Sequence, residues 1–260
     1  MNFEIGNLVT RKSHNHDIVF KIIDIKDDIF YLKGINIRLL ADSPEDDLAE
    51  YKEKNNEEEE AFLERIKTEC VLDRNDYFYL PGKVLHIDAD SEYLKRCLKY
   101  YEDMNIWAIG ICEKEYVVPD RIKELLEEYN PNIVVITGHD AYYKRNGNLK
   151  DLSSYKNSEN FILSVKEARK YEKSHEKLVI IAGACQSDYE ELIKSGANYA
   201  SSPKRINIHA LDPAIIAVTV ALTEKTKEIN LIEMLEKTKY GKDGMGGLKQ
   251  NGMMYVGYPR

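Results

Sequence analysis

No stretch of this chain is apolar enough, or long enough, to span a bilayer. The first residues, Met1 to Thr10, are neither basic nor followed by an apolar segment, which argues against a secretory signal and predicts a protein that stays in the cytosol of the cell that makes it. Cysteine is scarce. Cys70, Cys97, Cys112 and Cys185 are scattered without CxxC spacing, so neither a zinc site nor a disulfide framework is expected, and a reduced compartment fits. Basic charge is also short: 37 Lys and Arg stand against 45 Asp and Glu, a net charge of -8. That balance speaks against wholesale phosphate binding, hence against a nucleic-acid partner, and is compatible with basic protein substrates. His14 and His16 flank one turn with no third ligand nearby and read as a solvated tip. No metal and no organic cofactor is expected.

What the chain does have is room for organised chemistry. Its 260 residues can hold one large α/β domain, or a medium one with a small one. Residues 3 to 40 read as short strands joined by tight polar turns, which predicts a small SH3-like β-barrel over 1–44. Residues 45–81 read as an acidic helical linker that contains Glu57-Glu58-Glu59-Glu60. Phe62, Leu63 and Ile66 give its second half one apolar face, and Arg65 and Arg74 are candidate self-processing positions within it.

From Gly82 the pattern changes to apolar strands alternating with amphipathic helices. Strands are predicted at Val84–Asp88, Ile106–Ile111, Ile133–Thr137, Leu178–Ala182 and Ala197–Ser201. Helices are predicted at Glu92–Met104, Pro119–Tyr129, Asn157–Tyr171, Asp188–Lys194 and Asp212–Leu222. This alternation predicts a mostly parallel sheet covered on both faces over 82–260, ending in a glycine-rich tail read as loop or partly ordered. In such sheets, sites form at the carboxyl ends of strands. Asp88, Asp90, His139 and Cys185 all fall there.

Two of these ends stand out. Ile133-Val134-Val135-Ile136-Thr137-Gly138-His139-Asp140 delivers an imidazole, and Leu178-Val179-Ile180-Ile181-Ala182-Gly183-Ala184-Cys185 delivers a thiol. Consecutive strands joined by a helix are usually neighbours, so the two side chains meet at one sheet edge as a cysteine nucleophile and its base. The predicted helix after Cys185 favours a thiolate and offers N–H groups to an oxyanion. Gly183 and Gly138 let substrate approach the backbone. The alternative for Cys185 is a buried structural cysteine; the same reading holds for Cys70, Cys97 and Cys112. His86 reads as a core histidine, His175 as a turn residue, and His209 as a candidate supporting residue. A rival α/β reading uses Asp88 and Asp90 in receiver-like phosphotransfer with Lys204, and a second rival is a non-catalytic SH3-like scaffold protein.

The strand ending in His and the strand ending in Ala-Cys resemble caspase-like proteases, with Asp140 standing where glycine usually follows the histidine. A closer resemblance runs over nearly the whole chain. Arg38-Leu39-Leu40-Ala41-Asp42-Ser43-Pro44, Gly82-Lys83-Val84-Leu85-His86-Ile87-Asp88, Ile136-Thr137-Gly138-His139-Asp140, Ala182-Gly183-Ala184-Cys185-Gln186-Ser187 and Ala200-Ser201-Ser202-Pro203 look like the YabG family, the sporulation-specific peptidases of spore-forming Firmicutes. The resemblance implies a caspase-like α/β fold. It also implies a mother-cell cysteine endopeptidase that cleaves spore coat, cortex-associated and germination-related proteins after arginine and cleaves itself. His139 would then be the base and Cys185 the nucleophile, with the backbone N–H groups of Cys185 and Asp140 at the oxyanion. An arginine in the substrate asks for a carboxylate. Asp88 is the first candidate and Asp90 the next, followed by Asp140 and Asp212; Gly183 occupies the position where related arginine-specific enzymes carry an acid.

Overall fold

The computed structural model describes residues 3–51, 57–68, 77–143, 149 and 151–258. The chain divides into two compact units, Met1–Ala61 and Phe62–Arg260. Cys70 and Arg74 lie outside the described residues.

The first unit is a five-stranded antiparallel sheet. Its strands are β1 (Leu8–Arg11), β2 (Phe20–Lys26), β3 (Ile29–Gly34), β4 (Leu40–Pro44) and β5 (Leu48–Glu50), in the order β4-β3-β2-β1-β5. The β2–β3 hairpin turns through Asp27 and Asp28, both at positive φ (48° and 61°). That is the two-residue turn whose twist matches the strands it joins. Alternate side chains Val9, Phe20, Ile22, Phe30, Leu32 and Leu48 form one buried cluster. The acidic stretch after Pro44 departs from the expected helical linker at its start. Glu45–Asp47 makes a single 3-10 turn, and β5 then pairs with β1, because Leu48 supplies an apolar side chain to that cluster.

The second unit runs α1 (Glu57–Thr68), β6 (Phe78–Leu80), β7 (Val84–Asp88), α2 (Ser91–Asp103), β8 (Ala108–Cys112), α3 (Val118–Tyr129), β9 (Ile133–Thr137), α4 (Ser158–Tyr171), β10 (Val179–Ala182), α5 (Tyr189–Lys194), β11 (Tyr199–Ser201), α6 (Asp212–Leu222), α7 (Leu231–Glu236), α8 (Gly241–Gly244), β12 (Met245–Gly247) and β13 (Tyr255–Gly257). The strands from β7 to β12 form a six-stranded sheet in the order β12-β11-β10-β9-β7-β8, parallel except for β12. The fold class expected from the sequence holds: a caspase-like, mostly parallel sheet flanked by helices follows a small antiparallel unit.

Period-two alternation sorts the strands' side chains onto two faces. Leu85, Ile87, Val134, Ile136, Ile180 and Ala182 share a core with Ile122, Leu125 and Leu126 of α3, Phe161, Ile162 and Val165 of α4, and Leu192 of α5. Helices α2 and α6 pack on the sheet's strands and on each other. Helix α6 is buried along nearly its whole length, from Asp212 to Ala221. Each large apolar side chain so buried contributes about 1.5–3 kcal/mol.

The glycine-rich tail, read as loop or partly ordered, is ordered in part: it supplies α8, an edge strand and half of a ribbon. Met245–Gly247 pairs antiparallel with β11, and Tyr255–Gly257 pairs with β6. Pairing with a strand already in place satisfies this backbone, which the composition of the tail alone could not reveal. In the same way Phe78–Leu80, at the end of the stretch read as a linker, becomes β6. Among the described residues no helix is long and apolar enough to cross a membrane.

Candidate active site

The strand order reverses direction between β7 and β9, the place where ligands bind in open α/β sheets. Asp88 pairs in register with Thr137, and Ile136 with Ala182, so β7, β9 and β10 end at one level. Just beyond these ends stand Asp90, His139 and Cys185.

His139 is held on several sides. Its Nε2 lies 3.2 Å from Asp90 Oδ2, and both side chains are 12% exposed. Its ring tilts against that of Tyr93 at 5.7 Å. Its backbone N–H donates to Glu115 Oε1 at 2.8 Å, and its carbonyl accepts from Asn157 Nδ2 at 2.7 Å. Gly138 makes this possible: a Cβ there would stand 2.6 Å from Glu115 Oε1. Among the described residues the buried Nδ1 has no hydrogen-bond partner. Asp90 does two jobs with two oxygens. Its Oδ1 caps α2 by accepting from the N–H groups of Glu92 (2.9 Å) and Tyr93 (3.2 Å), which leaves Oδ2 to face the imidazole.

Asp88 lies one layer deeper and is fully buried. Its Oδ1 accepts from the Asp90 N–H at 2.9 Å, and its Oδ2 accepts from Thr137 Oγ1 at 2.8 Å and sits 3.7 Å from His86 Nε2. This carboxyl faces inward, supporting the loop that carries Asp90. His86 is bonded to Tyr101 Oη through Nδ1 at 2.9 Å and is a satisfied core residue.

Asp140, beside His139, is a junction. Its Oδ1 accepts from the N–H groups of Ala141 (2.9 Å) and Asn157 (2.7 Å), and its Oδ2 from the hydroxyls of Ser158 (2.5 Å) and Ser187 (2.9 Å). Burial pushes this carboxyl above its ordinary range, against the opposing pull of those four donors. The Ser187 bond, together with the Tyr142 N–H bond to Gln186 Oε1 (3.1 Å), ties the turn after His139 to the turn after Cys185.

The Cys185 turn is shaped by backbone conformation. Gly183 takes φ +102°, and a Cβ there would lie 2.8 Å from Leu192 Cδ1. That position has no space for a pocket carboxylate. Gln186 takes φ +59°. Cys185 is fully buried, and its Sγ accepts the Ile208 N–H at 3.3 Å. Ser202 Oγ and the Ile206 carbonyl accept from the Gln186 N–H at 2.9 and 3.0 Å. The segment Ser202–Ile208 therefore lies across the cysteine.

The remaining candidates fall elsewhere. Cys97 is buried with its thiol on the Ala210 carbonyl, and Cys112 is exposed at the end of β8. His209 is buried against the Phe62 ring, its Nδ1 accepting from the Leu211 N–H, while Asp212 accepts from the N–H groups of His209 and Lys239. Lys204 and the residues around it line a cavity beyond β11. Sequence reasoning missed Glu115, Tyr93, Asn157 and Ser158. Each serves through a contact between segments far apart in the chain, and none sits in a motif.

The sequence model described as YabG peptidase U57 matches residues 4–259. The sporulation-specific protease YabG of Bacillus subtilis (strain 168) is 40% identical over 286 aligned residues, which cover 100% of this chain and 99% of that protein. This chain belongs to the YabG peptidase U57 family.

Proposed function

We propose that this chain is a cysteine endopeptidase of sporulation, with Cys185 as nucleophile, His139 as base and Asp90 as the residue that positions the base. The observation that carries this reading is the split environment of His139. A carboxylate at Nε2 holds the proton there and leaves the unpartnered, buried Nδ1 as the acceptor. The turn bearing that histidine is hydrogen-bonded to the turn bearing the thiol. An imidazole so fixed takes the thiol proton, the thiolate attacks the peptide carbonyl, and the imidazolium then protonates the leaving amine. Water resolves the thioester. The backbone N–H groups of Cys185 and Asp140 are the candidates to hold the oxyanion, since the N–H groups of Ala184, Gln186 and His139 are already committed to Ser187 Oγ, Ile206 O and Glu115. The substrates under this reading are spore coat and cortex-associated proteins, cut after arginine in the mother cell, and the enzyme processes itself.

The test is co-expression with a candidate coat-protein substrate. Cys185→Ala should abolish cleavage; undiminished cleavage by that variant ends the reading. Iodoacetamide labelling adds a second check. In a Cys112→Ser background, which removes the exposed thiol, labelling of Cys185 should slow in His139→Ala, whereas a rate indifferent to His139 would count against the dyad.

A further inference from the structure

Beside the Cys185 turn lies a cavity of about 580 Å³ whose charged lining is Asp188, Glu190, Glu191, Lys194, Lys204 and Arg205; Lys194 pairs with Glu191 at 2.6 Å, which leaves Asp188 and Glu190 to the guanidinium. A guanidinium is already seated among its carboxylates. Arg205 Nη2 donates to Asp188 Oδ1 at 3.0 Å and to Glu190 Oε2, and its Nε donates to Tyr155 Oη at 2.8 Å. The same guanidinium lies 5.6 Å from the centre of the Tyr155 ring, a cation–π stack. The site is not filled by this one cation. Asp188 is 2% exposed, and its Oδ2 is buried with no hydrogen-bond partner among the described residues. A buried carboxylate oxygen without a donor is an open place for one.

The segment that carries Arg205 is the one that covers the nucleophile. Ser202 and Arg205 hold left-handed backbone (φ +62° and +53°), uncommon for residues with side chains. Ser202 and Ile206 accept the Gln186 N–H, and Ile208 donates to Cys185 Sγ. Arg205 is thus the anchor of a strap over the thiol, and the carboxylates that hold it, Asp188 and Glu190, follow Cys185 closely in the chain.

We propose that this cavity receives a cationic side chain of the polypeptide substrate, with Asp188 and Glu190 as the specificity-determining carboxylates, and that Arg205 is its resident internal competitor. An incoming guanidinium displaces Arg205 and so loosens the Ser202–Ile208 strap over Cys185. The proposal rests on the cysteine-peptidase reading and adds the location of its specificity. It moves the role expected for Asp88 to a carboxylate beside the nucleophile's own turn.

Two measurements test it separately from the chemistry. The first is calorimetric binding of agmatine, a free guanidinium, to the Cys185→Ala protein. Arg205→Gln in that background should tighten agmatine at least fivefold, and adding Glu190→Gln or Asp188→Asn should weaken it at least tenfold again. Asp188→Asn retains an oxygen to cap α5, and Glu190 is largely exposed, so neither change threatens the fold. The second is cleavage of a peptide pair that carries arginine or its neutral isostere citrulline at the scissile position. Asp188→Asn should lower the arginine-to-citrulline ratio of kcat/KM at least tenfold, and Arg205→Gln should lower KM for the arginine peptide and speed iodoacetamide labelling of Cys185. Agmatine affinity indifferent to all three substitutions, or an unchanged peptide ratio in Asp188→Asn, would overturn the proposal. If His139→Ala and Cys185→Ala cleave as wild type does, the dyad has failed, while the calorimetry still decides the cavity.

Discussion

Replacing Asp90 by asparagine and by alanine should separate its two roles, with opposite orders for activity and stability. In the native protein Oδ1 accepts from the N–H groups of Glu92 and Tyr93, and Oδ2 faces His139 Nε2 at 3.2 Å. In Asp90→Asn only the amide oxygen can cap the helix, so the amide nitrogen must face the imidazole. A donor there forces the proton onto Nδ1, the nitrogen the thiol needs as acceptor. An amide that imposes the wrong tautomer in this way lowers kcat by about 10⁴-fold in the serine-protease triad. Alanine imposes nothing; it removes one charge-assisted hydrogen bond of about 1.5–3 kcal/mol, or roughly 10- to 150-fold in rate. The cap tells the other way. Asparagine keeps it, and alanine loses about 1 kcal/mol, or roughly 2–4 °C in Tm for a unit of this size. Activity should therefore fall in the order wild type, alanine, asparagine, and Tm in the order wild type, asparagine, alanine. Peptide turnover and thermal melting of the three purified proteins are enough. An asparagine variant more active than the alanine variant would refute the tautomer argument, and with it the place of Asp90.

Three further outcomes are expected. Burial raises the Asp140 carboxyl above its unfolded value of 3.8, so its favourable contribution is complete below that value and is lost as pH rises through the raised one; the Tm of wild type relative to Asp140→Asn should be highest at acid pH and decline as pH rises, and a gap that grows with pH would contradict this. Arg169 donates to the carbonyls of Gly196, Glu172, Ser174 and Leu178 and to Asn198 Oδ1; Arg169→Met leaves them without that donor and should destabilise the second unit by about 3–5 kcal/mol in urea unfolding, whereas a loss within experimental error would mean that water replaces the guanidinium. Gly183→Ala meets both a φ of +102° and the Leu192 side chain, so about 1–3 kcal/mol of stability should be lost along with most turnover; an active, equally stable variant would show that the turn relaxes freely.

Much of the second unit was legible because its strands are uninterrupted aliphatic runs. Val84–Asp88 and Ile133–Thr137 form as the pattern predicts, and so does the helix Asp212–Leu222. Where glycine and aromatic composition stood in for periodicity, the reading failed. Phe78–Leu80 and Met245–Gly247 are strands only because a partner strand receives them, and a partner is not written in the local sequence. The site shows the same division. His139 and Cys185 could be proposed from the sequence because each follows the end of its own strand. Asp188 and Arg205 could not, because their meaning depends on a loop folding back across the β10–α5 turn. Asp88 misled for the converse reason: it too ends a strand, but period two turns its carboxyl into the layer with His86 and Thr137.

The division of labour among strands places the whole demand for precision on their register. The proposed base follows β9, the carboxylate beside it follows β7, and the proposed nucleophile sits in the turn after β10. Only the parallel register fixes them against one another: Asp88 against Thr137 and Ile136 against Ala182. A slip of one residue in any of the three would turn that strand's side chains to the opposite face. What the ladder does not fix is the cover over the thiol. The strap from Ser202 to Ile208 is held instead by hydrogen bonds of Ser202, Lys204, Arg205, Asn207 and Ile208, outside the pairing of β10 with β9. Loops outside a sheet ladder open at lower free energy than its core strands. Under the proposed mechanism the ladder holds Asp90, His139 and Cys185 against one another, and the strap governs access to the thiol.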